Sequence, residues 1–406
     1  MLVQFAAPVT SSTVVVAVDV GKTLVALSVT DVARRRLLGP VEFTMTRPQL
    51  DQVVAEVRRV VPDHGVVKVG IEAAGHYHWP LTALWAWPAG WEVLELNPAH
   101  VAEQRRVAGR RRVKTDAIDL EAITELVLAG RGVPVTARDS VLGELAGWVG
   151  HRRRRVRTRT ATKNQLLGQL DRTFPGLTLV LPDVLSTKVG HLIAAEFADP
   201  ARLAALGSTR FIRFAANRDL RVAQPLADRL VQAARDALPT RDAAIAREVL
   251  AEDLALMAGL NVQISAVERE LARLVPVSPF APLTTVSGWA AVRAATYGAA
   301  LGDPARWPGS AQIYRAAGLS PAQYESAGKR RDGHISREGS VTLRRSLIDL
   351  GLGLWHWDAP ARGYAHELKA RGKPGGIIAT AMAHRANKIA YALVRDQSPY
   401  DQTRWT

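Results

Sequence analysis

Apolar and polar positions change their spacing twice along this chain. The run Thr13-Val-Val-Val-Ala-Val-Asp-Val20 is apolar at almost every position, which predicts a strand buried on both faces. Strand-like segments follow at 23–30, 37–46, 66–73 and 91–96, with helical patterns at 48–61 and 79–87. A three-strand meander followed by strands alternating with helices predicts an α/β layer on a mixed sheet. From about 139 the spacing becomes helical. Residues 141–173 predict one long helix that stops before Pro175, and 183–238 predict several short helices without an assignable role. Between 240 and 275, Ala246, Leu250, Asp253, Met257, Leu260, Ile264, Val267, Leu271 and Leu274 recur at alternating spacings of four and three. That is a coiled-coil seam with Asp253 as its polar break. Its partner is either the 141–173 helix or another subunit.

Pro276, Pro279 and Pro282 mark a linker, after which the pattern is again mainly helical. Segment 283–295 has the form of a helix-hairpin-helix around Ser287-Gly288, or of an ordinary helical hairpin. Segment 375–390 is amphipathic with a basic face, and Trp355 and Trp357 are expected to anchor the core. The expected architecture is therefore α/β plus α: a mixed-sheet domain at 1–138, a helical and coiled-coil domain at 139–275, and a mainly helical domain at 276–406.

Composition narrows the class of partner. Of 406 residues, 48% are apolar and 22% charged, as in an ordinary globular protein. Lysine and arginine outnumber aspartate and glutamate by 53 to 38, giving a net charge of +15. Nucleic acid or an acidic membrane surface would suit that charge. The arginines cluster, which favours nucleic acid. There is no run of 18 apolar residues and no basic leader followed by an apolar stretch, so neither a span nor a signal peptide is expected, and a cytoplasmic location is. The absence of cysteine excludes disulfides and thiolate metal sites.

Four carboxylates stand out. Asp19 interrupts the first strand near its end, Glu72 ends the fourth, and Asp116 and Asp119 lie three apart behind a candidate N-cap, Thr115. Taken singly, each has an ordinary explanation, such as an acidic first helical turn or a strand-end ion pair. Taken together they form the oxygen-donor set that hard cations require. Two ions about 3.5–4 Å apart would suit phosphoryl transfer. Basic residues precede the aspartate pair (Arg105, Arg106, Arg110, Arg111, Arg112, Lys114), where a phosphate backbone would arrive. A second cluster, Arg152, Arg153, Arg154, Arg155, Arg157 and Arg159, occupies the centre of the first long helix. Far down the chain, Ser326 sits three residues ahead of Lys329, Arg330 and Arg331, a setting that would hold a phosphate against a nucleophilic hydroxyl.

These residues carry a resemblance. Asp19 in VAVDVGKT, Glu72 in GIEAAGHY, Asp116 and Asp119 in RVKTDAIDLEAI, and Asn97-Pro98 resemble the N-terminal domain of the DEDD insertion-sequence transposases, similar to the resolvase RuvC with its ribonuclease-H-like fold. Gly318-Leu-x-Pro, Ser326, Gly339, Leu343 and Arg344-Arg345 resemble the C-terminal domain of the same family, although Ala327 stands where relatives usually carry glycine. The resemblance implies two Mg2+ per site, replaceable by Mn2+, held by the four acids. It also implies attack of Ser326 on DNA to form a phosphoserine, and the coiled coil joining the two domains and helping subunits associate. Implied partners are donor and target DNA, a noncoding bridge RNA and further copies in a dimer or tetramer, with no membrane. A metal-dependent nuclease using water, and a noncatalytic nucleic-acid scaffold, are the alternatives. Asp19-Val-Gly-Lys-Thr23 also resembles the first phosphate loop of sugar-kinase and actin-like ATPases, but the remaining loops of that superfamily are not found.

Overall fold

The β-branched run at the start of the chain becomes the middle of a sheet because it has hydrophobic layers on both sides. In the computed structural model, which describes residues 9–10, 12–62, 65–109, 115–135, 140–326 and 329–404, it is β1 (Thr13–Val20). β2 (Leu24–Asp31) pairs with it and β3 (Arg36–Thr44) pairs with β2, in an antiparallel meander. After α1 (Arg47–Val60), β4 (Val66–Glu72) pairs with β1 in parallel, and β5 (Glu92–Leu96) pairs with β4 in parallel. α2 (Pro98–Val107) and α3 (Asp116–Leu128) precede the short β6 (Val133–Pro134), giving the order β3-β2-β1-β4-β5-β6. Val14, Val16, Val18, Val67, Val69 and Ile71 pack with Leu50, Val53 and Val57 of α1. Val15 and Ala17 pack on the opposite face with Leu120, Ile123 and Val127 of α3.

The segment at 79–87 is not the expected helix. It consists of turns with a single 3-10 turn at Leu84–Ala86. Pro80 removes a helical donor and disfavours helical geometry at Trp79. Trp87 is buried instead, its indole N–H donating to Leu81 O at 2.6 Å and its ring stacked on Trp91. α2 was not among the expected helices, although Asn97-Pro98 marks its start: the Asn97 side chain accepts from Ala99 N and Pro98 opens the helix.

Contacts divide the chain into two units, residues up to 139 with 305–308, and 140–304 with 309–406. In the second unit, α4 (Ser140–Thr173) is followed by α5 (Leu177–Val180), α6 (Lys188–Glu196), α7 (Pro200–Ala216) and α8 (Gln224–Asp236), then α9 (Ala243–Leu274). The short helices enclose their own core around Phe174, Phe197 and Phe211. Of the nine seam positions on α9, all but Asp253 are buried. The seam partner is α4 of the same chain. Arg152 donates to Glu268, Arg159 to Asn261 and Arg172 to Asp242, so the two helices run antiparallel. α9 is long and apolar enough to cross a membrane by composition, but its buried stripe faces α4.

The proline segment at 275–286 is packed rather than open. It forms two 3-10 turns, Val275–Val277 and Ala281–Thr285, with Phe280 and Leu283 buried. Beyond it lie α10 (Ala291–Leu301), α11 (Ser310–Ala316), the hairpin β7 (Pro321–Ser326) and β8 (Lys329–Ile335), α12 (Val341–Trp357), α13 (Ala359–Ala370) and α14 (Gly375–Asp396). Gly288, at φ +84°, lies so close to α12 that a β-carbon would come within 2.8 Å of Gly353 O. This turn therefore serves packing within the domain. Trp355 is half-buried, and Trp357 is 67% exposed with one edge against Gly288, so neither is a core anchor.

Candidate metal centre and serine hairpin

Strand register creates the first half of the site. β1 and β4 run parallel with Val18 opposite Ile71, so one further step sets Asp19 beside Glu72. Adjacent strands are about 4.8 Å apart, and alternation sends both side chains to the α3 face. α3 supplies the other half. Thr115 caps it, its hydroxyl accepting from Ile118 N, and the first turn carries Asp119 down onto the sheet. The helix can approach closely because β4 has no side chain at Gly70. A β-carbon there would lie 2.5 Å from Val127 Cγ2 and 3.1 Å from Ile123 Cγ2. A larger residue at this position would lift α3 and carry Asp119 away from the strand carboxylates.

As a result Asp19, Glu72 and Asp119 each present an oxygen within 4.8 Å of the others, with Asp119 fully buried. Asp116 is not part of that group. It is exposed, one turn earlier on the same side of α3, with its β-carbon about 5–6 Å from that of Asp119 by helix geometry. Crowding carboxylates raises their mutual repulsion unless positive charge is nearby. One such charge is Arg105 of α2, whose Nη1 donates to Asp119 Oδ1 at 2.6 Å. Arg105 also lines a cleft of about 410 Å³ with Ser28, Thr30, Arg34 and Arg36. The donor set is all oxygen and partly buried, which fits a hard divalent cation.

The basic residues expected to grip nucleic acid are arranged unequally. Arg105 is engaged with Asp119, while Arg106 is exposed. Arg110, Arg111, Arg112 and Lys114 lie outside the described residues. On α4, Arg152 and Arg159 bridge to α9, Arg155 is half-buried, and Arg153, Arg154 and Arg157 are exposed. A sequence cannot distinguish these roles, because a run of arginines on a helix covers more than one face.

Two family models match this chain. Residues 16–175 match the DEDD transposase domain of IS110, and residues 281–366 match a transposase model of the IS116/IS110/IS902 family. The chain belongs to the IS110 family of transposases. A comparison with curated proteins gave no match. As a member of that family it is a DNA transposase. The first match spans Asp19, Glu72, Asp116 and Asp119, and the second spans Ser326.

In this transposase Ser326 is the last residue of β7, paired across the hairpin with Lys329. Arg330 pairs with Glu325 and Arg331 with Tyr324 along the same ribbon. No strands were expected in this mainly helical domain, because Gly328 and the basic run mask their alternation. The base of the hairpin is clamped. Ser336 N donates to Ser320 O, Arg337 N to Gly318 O and Ser340 N to Ala316 O. Gly318 (φ +64°) and Gly339 (φ +135°) permit this crossing, for a β-carbon at Gly339 would overlap Ala316 O. Arg344 donates to Ala317 O at 3.2 Å and so braces the same turn, while Arg345 is exposed.

Proposed function

We propose that this transposase cuts and rejoins DNA through a covalent bond to Ser326, with divalent cations held by the acidic cluster. The observation that supports this most directly is the convergence of Asp19, Glu72 and Asp119 at the carboxyl ends of adjacent parallel strands. Mg2+, or Mn2+ in its place, would supply charge stabilisation to the attacking and leaving oxygens. Asp19, Glu72 and Asp119 would hold the first ion, and Asp116, at the rim, would complete the set for a second. Arg105 balances the charge of Asp119 before DNA arrives and keeps that carboxylate oriented.

The serine step conserves atoms simply. Ser326 Oγ forms a bond to phosphorus as one phosphorus–oxygen bond to the sugar breaks. The serine proton passes to solvent, and the leaving oxygen takes one up as a free DNA hydroxyl. Because the phosphoester bond is retained on the protein, reversal with a different DNA hydroxyl rejoins strands. The working unit in this scheme is a dimer or tetramer acting on donor and target DNA. Exposed Arg153, Arg154 and Arg157 suit the backbone of a noncoding guide RNA, which would read sequence by base pairing.

Calorimetric titration of the purified chain with Mn2+ tests the metal centre without chemistry. Wild type is expected to show saturable binding. Asp119→Asn should weaken it at least tenfold, and Asp116→Asn should spare the tighter event and lose the weaker one. Equal binding by wild type and Asp119→Asn would overturn the assignment.

A further inference from the structure

We propose that Trp79 and Trp85, in the segment that follows Glu72, form a stacking platform for unpaired DNA bases. This rests on the DNA chemistry proposed above and names a further surface for the strand. The segment between β4 and β5 begins directly after Glu72 and packs on the α1 face of the sheet, opposite the face to which Asp19, Glu72 and Asp119 turn. Its interior is firmly held. Trp87 and Trp91 stack, the Trp87 indole N–H is bonded to Leu81 O, and Leu81, Ala86 and Trp87 are buried against the α1 face. Trp79 and Trp85 project from that scaffold at 64% and 69% exposure. The turn beneath Trp79 is tied by Thr82 Oγ1 donating to Trp79 O at 3.0 Å. Large aromatic rings left in water on a fixed support mark a contact surface rather than a loose end.

The chemistry of the neighbours identifies the partner. Arg47 lies 5.7 Å from the Trp85 ring centroid and donates to Trp85 O at 3.1 Å, while its Nε and Nη2 pair with Asp51, so a guanidinium held in an ion pair accompanies the aromatic face. A ring to stack on suits a base, and a phosphate of the same strand would share the Arg47 guanidinium with Asp51. The net charge of +15 favours the same polyanion. Fully paired DNA has no free base faces away from its ends, so the platform selects unpaired bases, which strand exchange must expose.

Binding in EDTA tests this separately from metal and serine chemistry. The full chain is titrated by fluorescence anisotropy against two labelled DNAs of equal length, one fully paired and one with a central unpaired bubble. Alanine at both tryptophans (W79A/W85A) is expected to weaken bubble binding about tenfold or more, since stacking is worth roughly fivefold to a hundredfold per base. Paired-duplex binding should stay within about threefold, and phenylalanine at both positions should restore most of the bubble preference. Unchanged bubble affinity in W79A/W85A would overturn the platform. So would an equal loss on both DNAs, a loss confined to a labelled RNA strand, or a change in oligomeric mass with DNA binding intact. Because no metal is present, a failed platform leaves the acidic cluster and Ser326 untouched, and failure of those leaves this binding difference in place.

Discussion

Replacing Ser326 with alanine is expected to remove the covalent protein–DNA complex altogether while leaving DNA binding within about twofold. The substitution deletes one oxygen at the end of β7, in a hairpin whose base is set by backbone bonds and by Gly318 and Gly339. That clamp joins backbone atoms of residues 316–320 and 336–340, away from position 326, so the fold should persist. The measurement is a denaturing gel of wild type and Ser326→Ala with labelled substrate DNA and Mg2+. A slow-migrating, denaturant-resistant band should appear with wild type alone. Strand scission at wild-type rate by Ser326→Ala would instead assign cleavage to water, making the acidic cluster a nuclease site.

The second large effect concerns charge rather than a nucleophile. Asp19→Asn, Glu72→Gln and Asp119→Asn are each expected to slow strand cleavage by about a thousandfold, or roughly 4 kcal/mol of transition-state stabilisation. Amides keep the shape of these side chains and lose the negative charge that draws a cation. Asn at 119 can still accept from Arg105, whereas alanine would strand that guanidinium and confound the result with unfolding. Single-turnover cleavage at saturating DNA, with circular dichroism as the fold control, gives the comparison. Rates near wild type for all three amides would exclude a role for the ion site in catalysis.

How much of this was legible in the sequence depends on what each residue answers to. β1 was readable because burial on both faces leaves a nearly unbroken apolar run. The α9 seam was readable because one stripe alone is buried, and eight of the nine positions expected on it are. Segment 79–87 was not, because its tryptophans answer to a core and to solvent at once, and helical spacing is what that mixture resembles. The candidate carboxylates were legible as a set of types. Their separation into three converged groups and an exposed Asp116 depends on how deeply α3 settles, which the absence of a side chain at Gly70 decides. Nor could the arginine run on α4 declare which members bind α9, since that depends on a helix some hundred residues away.

The parallel pairing of β1 with β4 carries a last consequence. Strand side chains obey parity, odd positions to one layer and even to the other. Asp19 shares its parity with Val15 and Ala17, so inserting a single residue between Ala17 and Asp19 would rotate the carboxylate into the layer occupied by Leu50 and Val53. Inserting two would bring it back to the proper side but one rung too far. The proposed ion site should thus tolerate substitution within β1 far better than a change in its length, since a frame of even and odd rungs sets where the carboxylate points.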